Sequence, residues 1–180
     1  MTAAKARLIA VDGVHAASVL DAARRALGTP PAGGISHWDA SGVFQDLVVA
    51  EEQAGTASPR TLLLLYAADL AFRLRWEIRP ALAEGQTVVA APYVHTAVAF
   101  GRAAGLPAAW LTNLFRFAPR ATDRLIAPLP ADASNAGVDG FVGLVCEQMT
   151  GRQKGKLARR IVKDTNAQLR KAAHRAKKRN

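Results

Sequence analysis

The residues best placed to do chemistry follow the first apolar run. Leu8-Ile9-Ala10-Val11 passes into Asp12-Gly13-Val14-His15-Ala16-Ala17-Ser18-Val19-Leu20. The run reads as a buried strand, Asp12-Gly13 as a turn, and His15 to Leu27 as a helix. Strand, tight turn and helix open a βαβ unit, and open parallel sheets bind ligands at the carboxyl ends of their strands. A phosphate loop at this place would read G-x-x-x-x-G-K-[ST]. Its glycines let backbone N–H groups turn toward phosphates, its lysine neutralises charge, and its hydroxyl binds Mg²⁺. Gly13 fills the first position, but Ser18, Val19 and Leu20 stand where glycine, lysine and the hydroxyl belong. The frame is there and its chemistry is not.

His15, His37 and His95 are the other candidates. They are scattered, without the short spacing of a ligand pair, and Cys146 is the sole cysteine. No metal site is expected from such a set, and an internal disulfide is excluded. His15 and His95 follow strand ends that should face one cleft, yet structural or solvated imidazoles are the simpler reading. Ser18 near a histidine suggests a hydrolase only weakly, because no G-x-S-x-G elbow accompanies it.

The elements that must position these residues alternate in type. Gly28-Thr29-Pro30-Pro31 stops the first helix, and residues 30–41 read as loop with a short strand inside Gly33 to Trp38. Val43 to Ala54 can form a helix. Thr61 to Ala83 is the longest candidate helix: Leu62, Leu65, Tyr66 and Asp69 fall at i, i+3, i+4 and i+7. In its second half Leu70, Phe72, Leu74, Trp76 and Ile78 alternate at strand period, but no turn signal separates the halves, so helix is expected throughout with a bend near Pro80. Thr87 to Ala91 reads as a buried strand, Ala108 to Phe117 as a short helix, and Leu125 to Leu129 as another strand. The pattern predicts an α/β fold with a mainly parallel sheet.

Three segments carry a resemblance by their order and spacing. Leu64-Leu65-Tyr66-Ala67-Ala68-Asp69, Ile78-Arg79-Pro80-Ala81-Leu82-Ala83-Glu84-Gly85 and Val88 to Phe100 match an L-L-F-A-A-D-R helix, an I-x-P-A-L-x-x-G segment and a D-R-Y-x-x-S-x-x-A-Y segment. With Leu8 to Leu20 and Pro107 to Pro130, residues 7–130 resemble the thymidylate kinase family of P-loop kinases. The resemblance implies a P-loop kinase-like parallel sheet flanked by helices, and a homodimer paired through helices of the body. The departures bear on activity. Val19 and Leu20 replace the lysine and hydroxyl of the phosphate loop, and Leu70 replaces the arginine after A-A-D. Ala91-Pro92 replaces the D-R pair, and Pro128 the aspartate of L-D-L-P. Phosphoryl transfer is chiefly positioning and electrostatics, so these losses point to a catalytically degenerate relative without catalytic residues or cofactor. A working nucleoside monophosphate kinase with an unconventional site is the competing reading.

Asp69, Tyr93 and Thr96 keep the family's pattern, and Phe100 stands for its last tyrosine. Core packing explains these positions. A residual nucleotide-base pocket of Phe72, Tyr93, Thr96, Phe100 and Arg102 is the sharper alternative, since aromatic walls and one cation suit a planar ligand.

The charge is lopsided. Of 180 residues, 152–180 hold twelve Lys/Arg and the single acid Asp164, an excess of +11 in a chain of net charge +10. The body is near neutral and the basicity belongs to an appendage. This divides the chain into a degenerate kinase-like domain (1–133), a connecting segment (134–153) and a basic C-terminal helix (154–180). Leu157, Ile161, Thr165, Leu169, Ala172 and Ala176 form a narrow stripe suited to light packing on the body. Lys154, Lys156, Arg159, Arg160, Lys163, Arg170 and Lys171 are the candidate contacts to nucleic acid or another polyanion. No aromatic interleaves them, so contact with phosphates is expected rather than base stacking. No apolar run reaches the ~18 residues of a membrane span, the first residues do not read as a signal peptide, and a cytoplasmic protein is expected.

Overall fold

The computed structural model describes residues 6–28, 31, 33–44, 46, 57–129 and 154–177. Strands β1 (Arg7–Asp12), β2 (Gly33–His37), β3 (Thr87–Ala91) and β4 (Asp123–Ile126) pair in the order β2-β3-β1-β4, every pair parallel. The strand expected inside residues 33–38 is therefore present. The expected strand at Leu125 to Leu129 lies earlier in the chain. Its pairing follows β1, with Ile9 opposite Asp123 and Asp12 opposite Ile126. Ala127 N–H closes the ladder on Asp12 O at 2.8 Å, and Pro128 has no N–H to continue it.

Successive strand residues face opposite sides of the sheet. Leu8, Ala10, Val88 and Ala90 enter one core, with Leu62, Leu63, Tyr66, Leu70 and Phe100. Ile9, Val11, Val89 and Ala91 enter the other, with Val19, Ala22 and Ala23 of helix α1 (Ala16–Leu27). Helices thus cover both faces, which a parallel sheet requires.

The larger core is roofed by α2 (Pro59–Arg73), a π-helical turn (Leu74–Ile78) and α3 (Arg79–Ala83), running without a break. Ser58 caps α2 by accepting from Thr61 N–H at 3.1 Å. The strand-like alternation of residues 70–78 now has an explanation. Leu70, Leu74 and Ile78 are buried, whereas Phe72 and Trp76 are exposed. Two stripes at i+4 spacing run along opposite sides of one helix, and read in sequence they alternate. The wide turn ends just before Pro80, whose ring and missing N–H interrupt the regular ladder.

Helix α4 (Val94–Ala103) follows β3, and α5 (Ala108–Leu114) stops three residues short of the expected Phe117. Helix α6 (Lys154–Lys177) packs along α4 and touches β4. Among the described side chains of α6, Val162, Thr165 and Leu169 are buried, and Val162 and Leu169 join the larger core. Thr165 and Leu169 belong to the expected stripe and Val162 is an addition to it; the side chains of Leu157, Ile161, Ala172 and Ala176 lie outside the described residues, as does most of the helix expected at 43–54. No helix is long and apolar enough to cross a membrane among the described residues.

Candidate functional site

The carboxyl ends of β1 and β3 meet the start of α4 at Asp12. This carboxylate is buried, and its Oδ1 accepts from Tyr93 N–H at 3.0 Å, Thr96 N–H at 2.9 Å and the Thr96 hydroxyl at 2.8 Å. Thr96 Oγ1 in turn accepts from Gly13 N–H at 3.0 Å. Asp12 therefore caps α4 from another strand, satisfying amides that a helix start leaves unpaired. Its Oδ2 has no hydrogen-bond partner among the described residues. Gly13 is needed here: a Cβ would lie 2.8 Å from Val19 Cγ2 and 3.0 Å from Ala127 Cβ.

Where a phosphate loop would curl, the chain is already helical. Helix α1 begins at Ala16, two residues before Ser18. His15 is its N-cap: Nδ1 accepts from Ser18 N–H at 3.2 Å and lies 3.0 Å from Ser18 Oγ. Val19 is buried against the smaller core, and Leu20 is half-buried. Two amides of this first turn are thus taken, Ser18 N–H by the His15 ring and Val19 N–H by the His15 carbonyl at 3.0 Å.

A second buried network ties β2 and β3 to α2. Arg73 and Asp69 pair at 2.9 Å, one helical turn apart, with neither exposed. Arg73 also donates to Ser36 O and Pro92 O, each at 3.3 Å. Asp69 Oδ1 accepts from Ser41 N–H at 3.1 Å and Ser41 Oγ at 2.9 Å. The Ser36 hydroxyl reaches Glu77 Oε2 at 2.7 Å. Tyr66 donates to the carbonyls of Pro92 and Tyr93, and burial raises its hydroxyl pKa. Sequence reading placed Leu70 at the family's arginine position and passed over Arg73. The Asp69/Arg73 spacing of i, i+4 was the available signal.

The residues of the proposed base pocket do not all converge. Tyr93 and Thr96 meet at Asp12, and the Tyr93 hydroxyl, pushed up to about 12 by burial, donates to Pro119 O at 2.8 Å. Phe100 is wholly buried in the larger core. Phe72 lies on the outward stripe of α2, and Arg102 is exposed on α4. His95, in the first turn of α4, accepts from Arg124 Nη1 at 2.9 Å through Nε2. Burial lowers its pKa; the Asp12 carboxylate opposes this, while Arg124 and Arg102 reinforce it. His37 Nδ1 lies 2.9 Å from Trp38 O. No group of three His, Cys, Asp or Glu side chains could hold a metal among the described residues.

Of the candidate polyanion contacts, Arg160, Lys163, Arg170 and Lys171 are exposed on α6, and Arg160 approaches Asp164 at 3.7 Å. Lys154, Lys156 and Arg159 are on the same helix, with side chains outside the described residues.

The all-parallel order β2-β3-β1-β4, with α1 leaving the end of β1, defines a fold of the P-loop kinase class. A solved thymidylate kinase from Ehrlichia chaffeensis has this fold, with a TM-score of 0.63 over 94% of this chain and 83% of that chain, at 11% identity. The chain is related in sequence to thymidylate kinases as well. It is 35% identical over 82 residues to a probable thymidylate kinase of Pyrobaculum calidifontis and 38% identical over 71 residues to one of Pyrococcus horikoshii. A third, from Thermococcus gammatolerans, is 36% identical over 77 residues. These matches cover 45%, 39% and 43% of this chain, and only 42%, 35% and 37% of the relatives' own lengths. No protein-family model matches the chain.

Proposed function

We propose that this chain is a catalytically degenerate thymidylate kinase-like protein that acts as a binding or assembly module, with α6 as its polyanion-binding element. The observation that carries the reading is the first turn of α1. Its helical start at Ala16, its histidine cap and the buried Val19 occupy the place where a kinase holds phosphates. The Mg²⁺ and nucleotide that such kinases use do not fit these residues. Val19 and Leu20 follow Ser18 in place of a lysine and a hydroxyl, and the Ser18 amide is held by the His15 ring. Transfer of a phosphoryl group would lack the charges that stabilise its transition state.

The test is a coupled assay with dTMP and ATP at high protein concentration, beside calorimetry with Mg-ATP. The expected result is no turnover and no saturable heat. Turnover that disappears in Ala17→Glu, an exposed position in the first turn of α1, would establish the competing kinase reading.

Assembly draws on the outward face of α2 and its π turn. Leu64, Ala68, Phe72 and Trp76 form an exposed apolar row, with Leu64 at 54% and Trp76 at 64% exposure. A row of this kind serves pairing with a second copy better than it serves solubility. Sedimentation should give a dimer that Trp76→Glu converts to a monomer; a monomeric parent protein removes the homodimer.

A further inference from the structure

The polyanion reading of α6 leaves one group of residues unused. The turn joining α5 to β4 exposes Arg116, Phe117 and Arg120, and β4 exposes Arg124. Among the described residues no carboxylate pairs with these arginines, because Asp123, the acid in this segment, is taken by Arg7 at 2.8 Å. The turn is held in shape. Tyr93 donates to Pro119 O at 2.8 Å, Thr122 N–H donates to Leu8 O at 2.7 Å, and Leu8 N–H donates to Thr122 Oγ1 at 3.2 Å. Helix α6, with its exposed cations, touches β4, the strand into which this turn runs.

We infer that this turn is the base-contacting part of a surface for single-stranded nucleic acid. The inference rests on the polyanion reading of α6 and supplies what the helix lacks, a π-face among cations. Phe117 stacks on one unpaired base, while Arg116, Arg120 and the cations of α6 take flanking phosphates. Bases within a duplex are already stacked on one another, so the ring favours unpaired strands. Because the turn is pinned before any ligand arrives, little ordering opposes binding.

The experiment is fluorescence anisotropy of labelled oligo-dT, oligo-rU and a duplex of equal length, with the full chain at stepped salt concentrations. Phe117→Ala is expected to weaken the tighter single strand by about tenfold, with its salt slope unchanged and duplex binding unaffected. Phe117→Leu keeps apolar bulk at this partly exposed position and is expected to give the same loss, which guards against a folding defect. Arg116→Glu with Arg120→Glu should reduce the single-strand salt slope by about 1.4, two contacts at about 0.7 each. Unchanged single-strand affinity in Phe117→Leu overturns this inference and leaves the polyanion reading standing. Failure of the parent protein to bind any of the three probes at low salt overturns both.

Discussion

Asp69 and Arg73 pair at 2.9 Å with both side chains shut off from solvent. The contact is charge to charge rather than an aligned hydrogen bond, and neighbouring carbonyls and Ser41 supply the aligned bonds. Removing one partner strands a buried charge. Asp69→Ala should therefore cost about 3–5 kcal/mol in urea unfolding. Exchanging both residues for apolar ones of similar volume, as in Asp69→Leu with Arg73→Met, should cost clearly less than that single change. An equal or larger loss in the double variant would mean that Arg73's bonds to Ser36 O and Pro92 O dominate the pair.

Asp12 holds the start of α4 through one oxygen. Asp12→Ala leaves two amides and a hydroxyl without their acceptor, and a loss of about 3 kcal/mol is expected from unsatisfied buried donors. Asp12→Asn keeps an acceptor at Oδ1 and should lose less than half as much. Denaturant midpoints of the two variants decide the matter, and equal losses would show that the charge rather than the geometry matters.

The docking of α6 sets up two opposite changes. Leu169 is wholly buried, so Leu169→Ala should destabilise by about 2–5 kcal/mol. Thr165 is equally buried, but its hydroxyl has no hydrogen-bond partner among the described residues. Thr165→Val removes that hydroxyl at constant shape and should stabilise by about 1 kcal/mol. Thermal or urea unfolding that ranks Thr165→Val below the parent protein would reveal a partner for the hydroxyl.

The His95–Arg124 contact fixes a pH dependence. His95 accepts through Nε2, and burial lowers its pKa from the ordinary 6.5. In the window between the folded value and 6.5 the unfolded chain binds the extra proton, so stability falls as pH drops through that window and recovers above it. His95→Gln should flatten this part of the profile. The check is the difference in urea midpoint between neutral and mildly acidic pH for the two proteins, and an unchanged difference would assign the dependence elsewhere.

Much of the fold was legible because its signals are local. The run Leu8 to Val11 and the run Thr87 to Ala91 are buried strands, and Gly28 ends α1 as expected. The short strand Gly33–His37 was harder to see, since its side chains carry little apolar pattern and its place is set by pairing with β3. For β4 the apolar residues misled by two positions, because register with β1 outweighs local hydrophobicity. The site was less legible than the fold. Gly13, Tyr93 and Thr96 stood out individually, but their convergence on Asp12 depends on contacts across more than eighty residues. Phe117 carried no distinct signal, because it reads as the last residue of a helix, whereas the helix ends at Leu114 and Phe117 stands exposed in the turn that follows.

The Asp12 cap has a consequence for the order in which the chain acquires structure. The acceptor and the amides it serves are 81 and 84 positions apart, so α4 gains this cap only once β1 and β3 lie side by side. Closing so long a loop is slow compared with forming a helix from its own sequence. The Tyr93 and Thr96 amides thereby become reporters of the whole transition. They exchange with solvent deuterium only when the sheet itself opens, whereas amides at a locally capped start such as Thr61, held by Ser58, exchange by fraying of a single turn.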